Sequence, residues 1–384
     1  MNKKFSKYLL AFLFLCVSCS TLTSKQSYFL DTKTNWVRST LREEYLGPKL
    51  VHSMSPTLIE DTIFQGNAAD GLVAIHQKSG NILWRKDIKN GVNSGAVQYK
   101  DNVYFGGNDG QFYALKASNG QLVWTFPTQS ESLSAPVLDG SSIYFLAGNG
   151  TLYSLDAVTG KMNWSYAQRD NSSINIRAAS SPVVDGNFLY IGFSDGTFSS
   201  FDKKNGFLKW ERNIAAPQDR FKDVGSSPTI SGENIYVSTY GGSLFSIKKT
   251  SGEINWKSDE GSSSAATTVA DKIYYSTTNK KLIALDKQTG KQLWAYAIKE
   301  GVGTKPLVYK DLVIIGTSEG PVEILSMIDG KLVKQFATGW GISAPITINT
   351  VTEDIFIMSN YGNIYSVNLK WKKPSNQWPW EKKE

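Results

Sequence analysis

The sequence predicts an all-β fold: an eight-bladed β-propeller of four-stranded antiparallel blades, closed by an N-terminal strand that completes the last blade. Three observations carry this prediction. A Gly followed four residues later by Trp recurs as Gly80/Trp84, Gly120/Trp124, Gly160/Trp164, Gly206/Trp210, Gly252/Trp256 and Gly290/Trp294. Gly330 continues the series with Lys334 in the Trp position, and successive spacings are 40, 40, 46, 46, 38 and 40 residues. Each unit also holds three turn signals, and the final unit lacks a fourth strand while a spare Trp stands near the N-terminus.

The turns explain the strands. In the second unit Lys100-Asp101-Asn102, Asn108-Asp109-Gly110 and Ser118-Asn119-Gly120 separate short apolar or alternating segments such as Val103-Tyr104-Phe105 and Leu122-Val123-Trp124. Asp and Asn before Gly tolerate the positive φ that tight hairpins require. Three turns divide four strands, and units of about 40 residues built this way stack around a channel, because one such sheet cannot bury both faces alone. The Trp is read as the filler between blades, worth at most about 5 kcal/mol each by area.

Seven Gly turns mark seven units, and an eighth begins at Ser343-Ala344-Pro345 and ends with Ile364-Tyr365-Ser366-Val367. Its missing strand is expected at Asn35-Trp36-Val37-Arg38, which lies 48 residues before Trp84. Closure of this kind removes the sheet edges that invite aggregation.

The first residues are a targeting segment, set aside from the fold. Lys3, Lys4 and Lys7 precede an apolar run from Tyr8 to Val17, about ten residues long where a membrane span needs roughly 20. The segment Cys16-Val17-Ser18-Cys19 resembles the lipobox of bacterial lipoproteins, with Cys19 as the lipidated first residue of the mature chain. Cys16 stands where that motif usually carries Leu, and an ordinary signal peptide is the alternative. Cleavage before Cys19 leaves one Cys, which carries lipid, so no disulfide supports the fold in an oxidising compartment. It also lowers the formal net charge from +7 to +4 by removing three lysines, too little and too dispersed to imply nucleic acid as a partner. The expected divisions are 1–18 signal peptide, 19–33 lipidated tether, 34–369 propeller and 370–384 flexible tail. Ser20 after the lipid-bearing Cys goes with delivery to the outer membrane, facing the periplasm, in lipoproteins of this type.

Function is sought where the repeat breaks. Trp124 to Pro136 and Trp294 to Pro306 span 12 residues, whereas Trp164 to Pro182 and Trp210 to Pro228 span 18. Both enlarged connections run from an outer strand to the next inner strand, so both emerge on one face and flank the fourth blade. Insertions on one face of a repeat protein commonly form its binding surface. In the first, Ile174 and Ile176 share one side of an extended segment beside Arg177, a pairing suited to an interface hot spot. The bland alternative is that both isoleucines fold back onto the fourth blade. The second contains Asp219, Arg220, Phe221 and Asp223.

These features resemble the BamB family, lipoproteins of the outer-membrane protein assembly machinery. The repeat Leu152 to Trp164 is similar to the PQQ-type propeller repeat of that family. Ser173-Ile174-Asn175-Ile176-Arg177 resembles its Leu-x-Leu-Arg segment, and Asp219 to Val224 its next connection. The resemblance implies that these residues contact the POTRA domains of the barrel-inserting partner, BamA. It implies a non-catalytic scaffold, with unfolded outer-membrane precursors as further partners. The alternatives are a generic envelope scaffold for another protein or glycan, and a PQQ-dependent dehydrogenase. Against the enzyme, the only histidines are His52 and His76, and no calcium loop, His/Cys metal spacing or nucleophile elbow is present. Asp156, Asp202 and Asp286, at the repeat position of His76, are read as turn-capping residues. No cofactor is expected.

Overall fold

The computed structural model describes residues 29–43, 47, 50–132, 134–168, 180–217 and 219–372. Unit 32–370 carries the propeller. Its strands form eight four-stranded sheets, and seven of these take their strands in simple sequence order from inside to outside. The blades occupy 57–87, 96–127, 137–167, 183–213, 229–258, 267–297 and 307–336. The eighth combines Thr347–Asn349, Asp354–Met358 and Asn363–Lys372 with the N-terminal strand Phe29–Ser39 on its outer edge. The chain thus closes on itself as the spare Trp and the incomplete last unit predict. The closing strand starts before residue 34 and the last strand runs past 369, so both extend beyond the divisions expected from the sequence.

The Gly–Trp pair works between blades. Each turn Gly is left-handed, with φ from 67° to 73°, and a Cβ added there would strike the Trp ring of the preceding blade. Thus Gly120 faces Trp84, Gly160 faces Trp124 and Gly206 faces Trp164. Only Gly satisfies both the backbone angle and the close approach. Each indole N–H also donates to the carbonyl three residues before that Gly: Trp84 to Ala117 at 2.9 Å, Trp164 to Lys203 at 3.0 Å, Trp210 to Lys249 at 3.1 Å. A buried indole N–H needs such a partner. Trp36 repeats the geometry at the seam, lying against Gly80 and donating to Gln77 O at 3.0 Å. Arg38 adds a bond to Gly80 O at 2.6 Å, the counterpart of Arg212 to Gly252 O at 3.0 Å.

Between these outer contacts lie buried aliphatic and aromatic layers at blade interfaces, including Phe112 stacked on Phe145 at 4.1 Å. Around the channel, side-chain hydroxyls tie three of the inner strands, those of blades 5, 6 and 8, to the next blade. Thr267 donates to Pro306 O at 2.5 Å, and Thr347 to Pro56 O across the seam at 2.7 Å. Antiparallel order places the turns between second and third strands, and the connections between blades, on the same face. That face carries the sites described below.

Candidate functional site

The connection from blade 4 to blade 5 begins where Asn213 ends its strand. Ile214 is buried and donates its N–H to Gly196 O at 2.9 Å, and Ala215 packs on Gly196. A short turn follows, closed by Asp219 N–H to Ala216 O at 3.0 Å and by Ala216 N–H to the Asp219 carboxylate at 2.9 Å. Asp219 therefore shapes the loop. An Asp side chain accepting a nearby main-chain N–H is a common way to build such a turn.

Arg220 and Phe221 come next. Arg220 is exposed, with its guanidinium carbon 5.2 Å from the Phe221 ring centroid. Phe221 is half-buried and meets Tyr240 edge to face, with centroids 5.8 Å apart and planes at 84°. Stacking on an aromatic ring orients a guanidinium while leaving its N–H groups available to a partner. Asp223 is fully buried, and its carbonyl accepts the Tyr240 N–H at 3.0 Å. It faces inward and secures the loop to blade 5. Val224, also buried, covers Gly192 and donates to Phe193 O at 3.0 Å, which secures the loop to blade 4.

The first enlarged connection is described only at its ends, and Ile174, Ile176 and Arg177 lie outside the described residues. Gln168 leaves blade 3 and donates to the Asp195 carboxylate at 2.6 Å and to Thr197 Oγ1 at 3.2 Å. Ser180 enters blade 4 and bonds Ser226 O at 3.2 Å. The turn 192–197 of blade 4 is therefore shared. Gln168 holds it from one side, while Ile214, Ala215 and Val224 hold it from the other. Both six-residue insertions root beside one turn on one face. Tyr240 was not singled out by sequence. Its only signal is that Tyr240-Gly241-Gly242 stands where other units place Asn or Asp before Gly.

The turn aspartates behave as the repeat implies. Asp156 accepts the Thr159 N–H and hydroxyl, both at 2.8 Å. Burial pulls its carboxyl upward, but these bonds hold it below the ordinary range. Asp286 is lowered by the same pair of bonds from Thr289. His76 caps its own turn through Ser79 at 2.9 Å. Among the described residues no three His, Cys, Asp or Glu side chains converge as they would around a metal ion. No described helix is long and apolar enough to cross a membrane. Cys19 lies outside the described residues.

The family model for the outer membrane protein assembly factor BamB matches residues 68–296 and 247–371. BamB from Moraxella catarrhalis superposes with a TM-score of 0.75 at 21% identity, covering 88% of this chain and 100% of that one. A quinohemoprotein alcohol dehydrogenase from Pseudomonas putida HK5 superposes at 0.72 with 13% identity, covering 90% of this chain and 78% of that one. A europium-containing methanol dehydrogenase gives 0.73 at 13% identity, covering 88% and 93%. Likenesses at these identities establish a shared fold. No curated protein matches the sequence significantly.

Proposed function

Because the chain belongs to the family of the outer membrane protein assembly factor BamB, we propose that it is a non-catalytic lipoprotein scaffold of the β-barrel assembly machinery. It is anchored to the outer membrane through Cys19 and faces the periplasm. Its partner is a BamA-like subunit, whose POTRA domains dock on the two enlarged connections around blade 4. The observation that carries this reading is the common rooting of both insertions on the turn 192–197, beside the exposed Arg220 and its aromatic support.

The roles divide by exposure. Arg220 offers a fork of donors to a partner carboxylate, and Phe221 supplies apolar contact area. Asp219 and Asp223 shape and fasten the loop. Ile174, Ile176 and Arg177 complete the contact from the neighbouring connection. Unfolded barrel precursors are the second class of partner, held by strand addition at the outer edge of a blade, where main-chain groups are available. A photoreactive residue at position 220 tests the docking step: it should crosslink to the POTRA region in the envelope, and labelling of unrelated proteins alone would refute it. The dehydrogenase reading is tested separately by adding PQQ and calcium and looking for bound cofactor absorbance, which the scaffold reading says will not appear.

A further inference from the structure

Each inner strand is entered by a short extended stretch whose residues alternate between the blade and the channel. In blade 7 Thr304 and Pro306 are buried, and the Thr304 hydroxyl accepts the Gly316 N–H at 3.0 Å. Lys305 stands between them and is exposed. By the twofold alternation of extended chain its side chain points the other way, into the channel. The other seven blades place Ser, Gly, Ala or Pro at this position: Ser55, Gly95, Ala135, Ser181, Ser227, Ala265 and Pro345. Two residues on, the next ring is Thr, Val or Leu throughout, and the ring before, from Ser53 to Ser343, carries no charge either. Further down the inner strands Asp139 and Asp185 are paired with Lys203 and Lys249. Lys305 is thus a single cation on a neutral stretch of channel wall.

No described group balances that charge. Lys305 has no hydrogen bond or ion pair among the described residues, and the connections entering blades 6, 7 and 8, which surround it, are described throughout. Protein around the channel strips bulk water from the ammonium, and this desolvation, with no carboxylate to oppose it, lowers its pKa below the ordinary lysine value. An ammonium held this way is stabilised by an anion brought close to it. The same ring also holds O–H donors. Ser181 Oγ accepts the Ala135 N–H at 2.9 Å, and Ser227 Oγ accepts the Ser181 N–H at 3.0 Å. Both hydroxyls keep a proton to donate, since no described acceptor takes it.

We propose that the channel binds one oxyanion, a carboxylate or phosphate group, at Lys305, with serine hydroxyls of the same ring as accessory donors. One ammonium matches one such group, and the small side chains of the ring leave it approachable from the face on which the blade connections lie. A neutral ligand would leave the ammonium uncompensated. A nucleophilic role finds no support, because neither neighbouring ring holds an acid or base to move a proton. Lys305 is three blades from blade 4, and the site does not depend on docking there.

The test acetylates the full chain in detergent with limiting N-acetoxysuccinimide and reads each lysine by peptide mass spectrometry at constant ionic strength. The probes are inorganic phosphate and acetyl-Gly-Glu-Gly-amide, with acetyl-Gly-Gln-Gly-amide as the neutral control. An oxyanion should slow acetylation of Lys305 saturably, about fivefold or more, relative to the exposed Lys280 and Lys299, while the Gln peptide does nothing. The same oxyanion should raise the melting temperature of the wild type but not of Lys305→Gln. Protection by the Glu peptide alone identifies an acidic side chain of a partner as the occupant, and protection by phosphate alone identifies a free small anion. Either result upholds the site. No protection by either probe overturns it, and protection spread equally over Lys280 and Lys299 means an adventitious ion only and overturns it too.

Discussion

The indole N–H of Trp36 donates to the carbonyl of Gln77 at 3.0 Å, and through this bond the first strand of the chain grips the first blade of the ring. The same donor–carbonyl relation joins every other Trp of the series to the following blade, so the seam is made like the internal interfaces. What differs is connectivity: Phe29–Ser39 leads directly into blade 1, so closure rests on its pairing with Asn363–Lys372 in blade 8, which joins opposite ends of the propeller without a peptide linkage.

Trp36→Ala should therefore destabilise the propeller by about 3 kcal/mol, within the range for removing a packed aromatic ring. Removal of residues 34–40 should lower the melting temperature much further, since it also takes Arg38 from Gly80 O and Thr40 from Gly362 O. Thermal melts of both variants check this. An unchanged melting temperature on deletion would mean that the strand does not close the ring.

Two glycines of blade 4 separate conformational strain from steric contact. Gly186 has φ 56° with nothing within 4 Å of an added Cβ, whereas Gly206 has φ 73° with Trp164 Cε3 at 2.6 Å. Gly186→Ala should cost about 1 kcal/mol from the left-handed backbone alone. Gly206→Ala should cost about 3 kcal/mol, because the Trp164 ring must also move. Urea unfolding midpoints will show whether the second exceeds the first.

His52 gives the fold a pH dependence of definite sign. Burial, opposed by nearby Asp70, lowers its pKa from 6.5 to about 4. The unfolded chain thus takes up a proton below pH 6.5 that the folded chain refuses until about pH 4. The contribution of this residue is intact above pH 6.5, declines as pH falls through that window, and is lost below it, by about 3 kcal/mol in all. Stability measured from pH 7 to pH 4 should fall less steeply in His52→Gln than in the wild type.

Much of this architecture is legible in sequence because it rests on one local device repeated seven times. A left-handed Gly must be Gly, the Trp that fills its missing Cβ must be large, and the pairing recurs at a spacing set by four strands. Lys334 is the instructive exception. Blade 8 receives its outer strand from the N-terminus and so has no turn joining third and outer strands; there is no turn Gly for a Trp in blade 7 to cover. The candidate site was legible only as extra length. Spacing located both insertions, but nothing in it distinguishes Arg220, which faces solvent, from Asp223, which turns inward to hold Tyr240.

The most direct test of the docking surface is co-purification from detergent-solubilised envelope, comparing the wild type with Ile176→Asp, Arg177→Glu and Arg220→Glu. BamA should accompany the wild type and be lost from the variants while their melting temperatures stay unchanged. If BamA never accompanies the wild type, or accompanies folded variants equally, the connections around blade 4 are not its docking site and the propeller serves another partner.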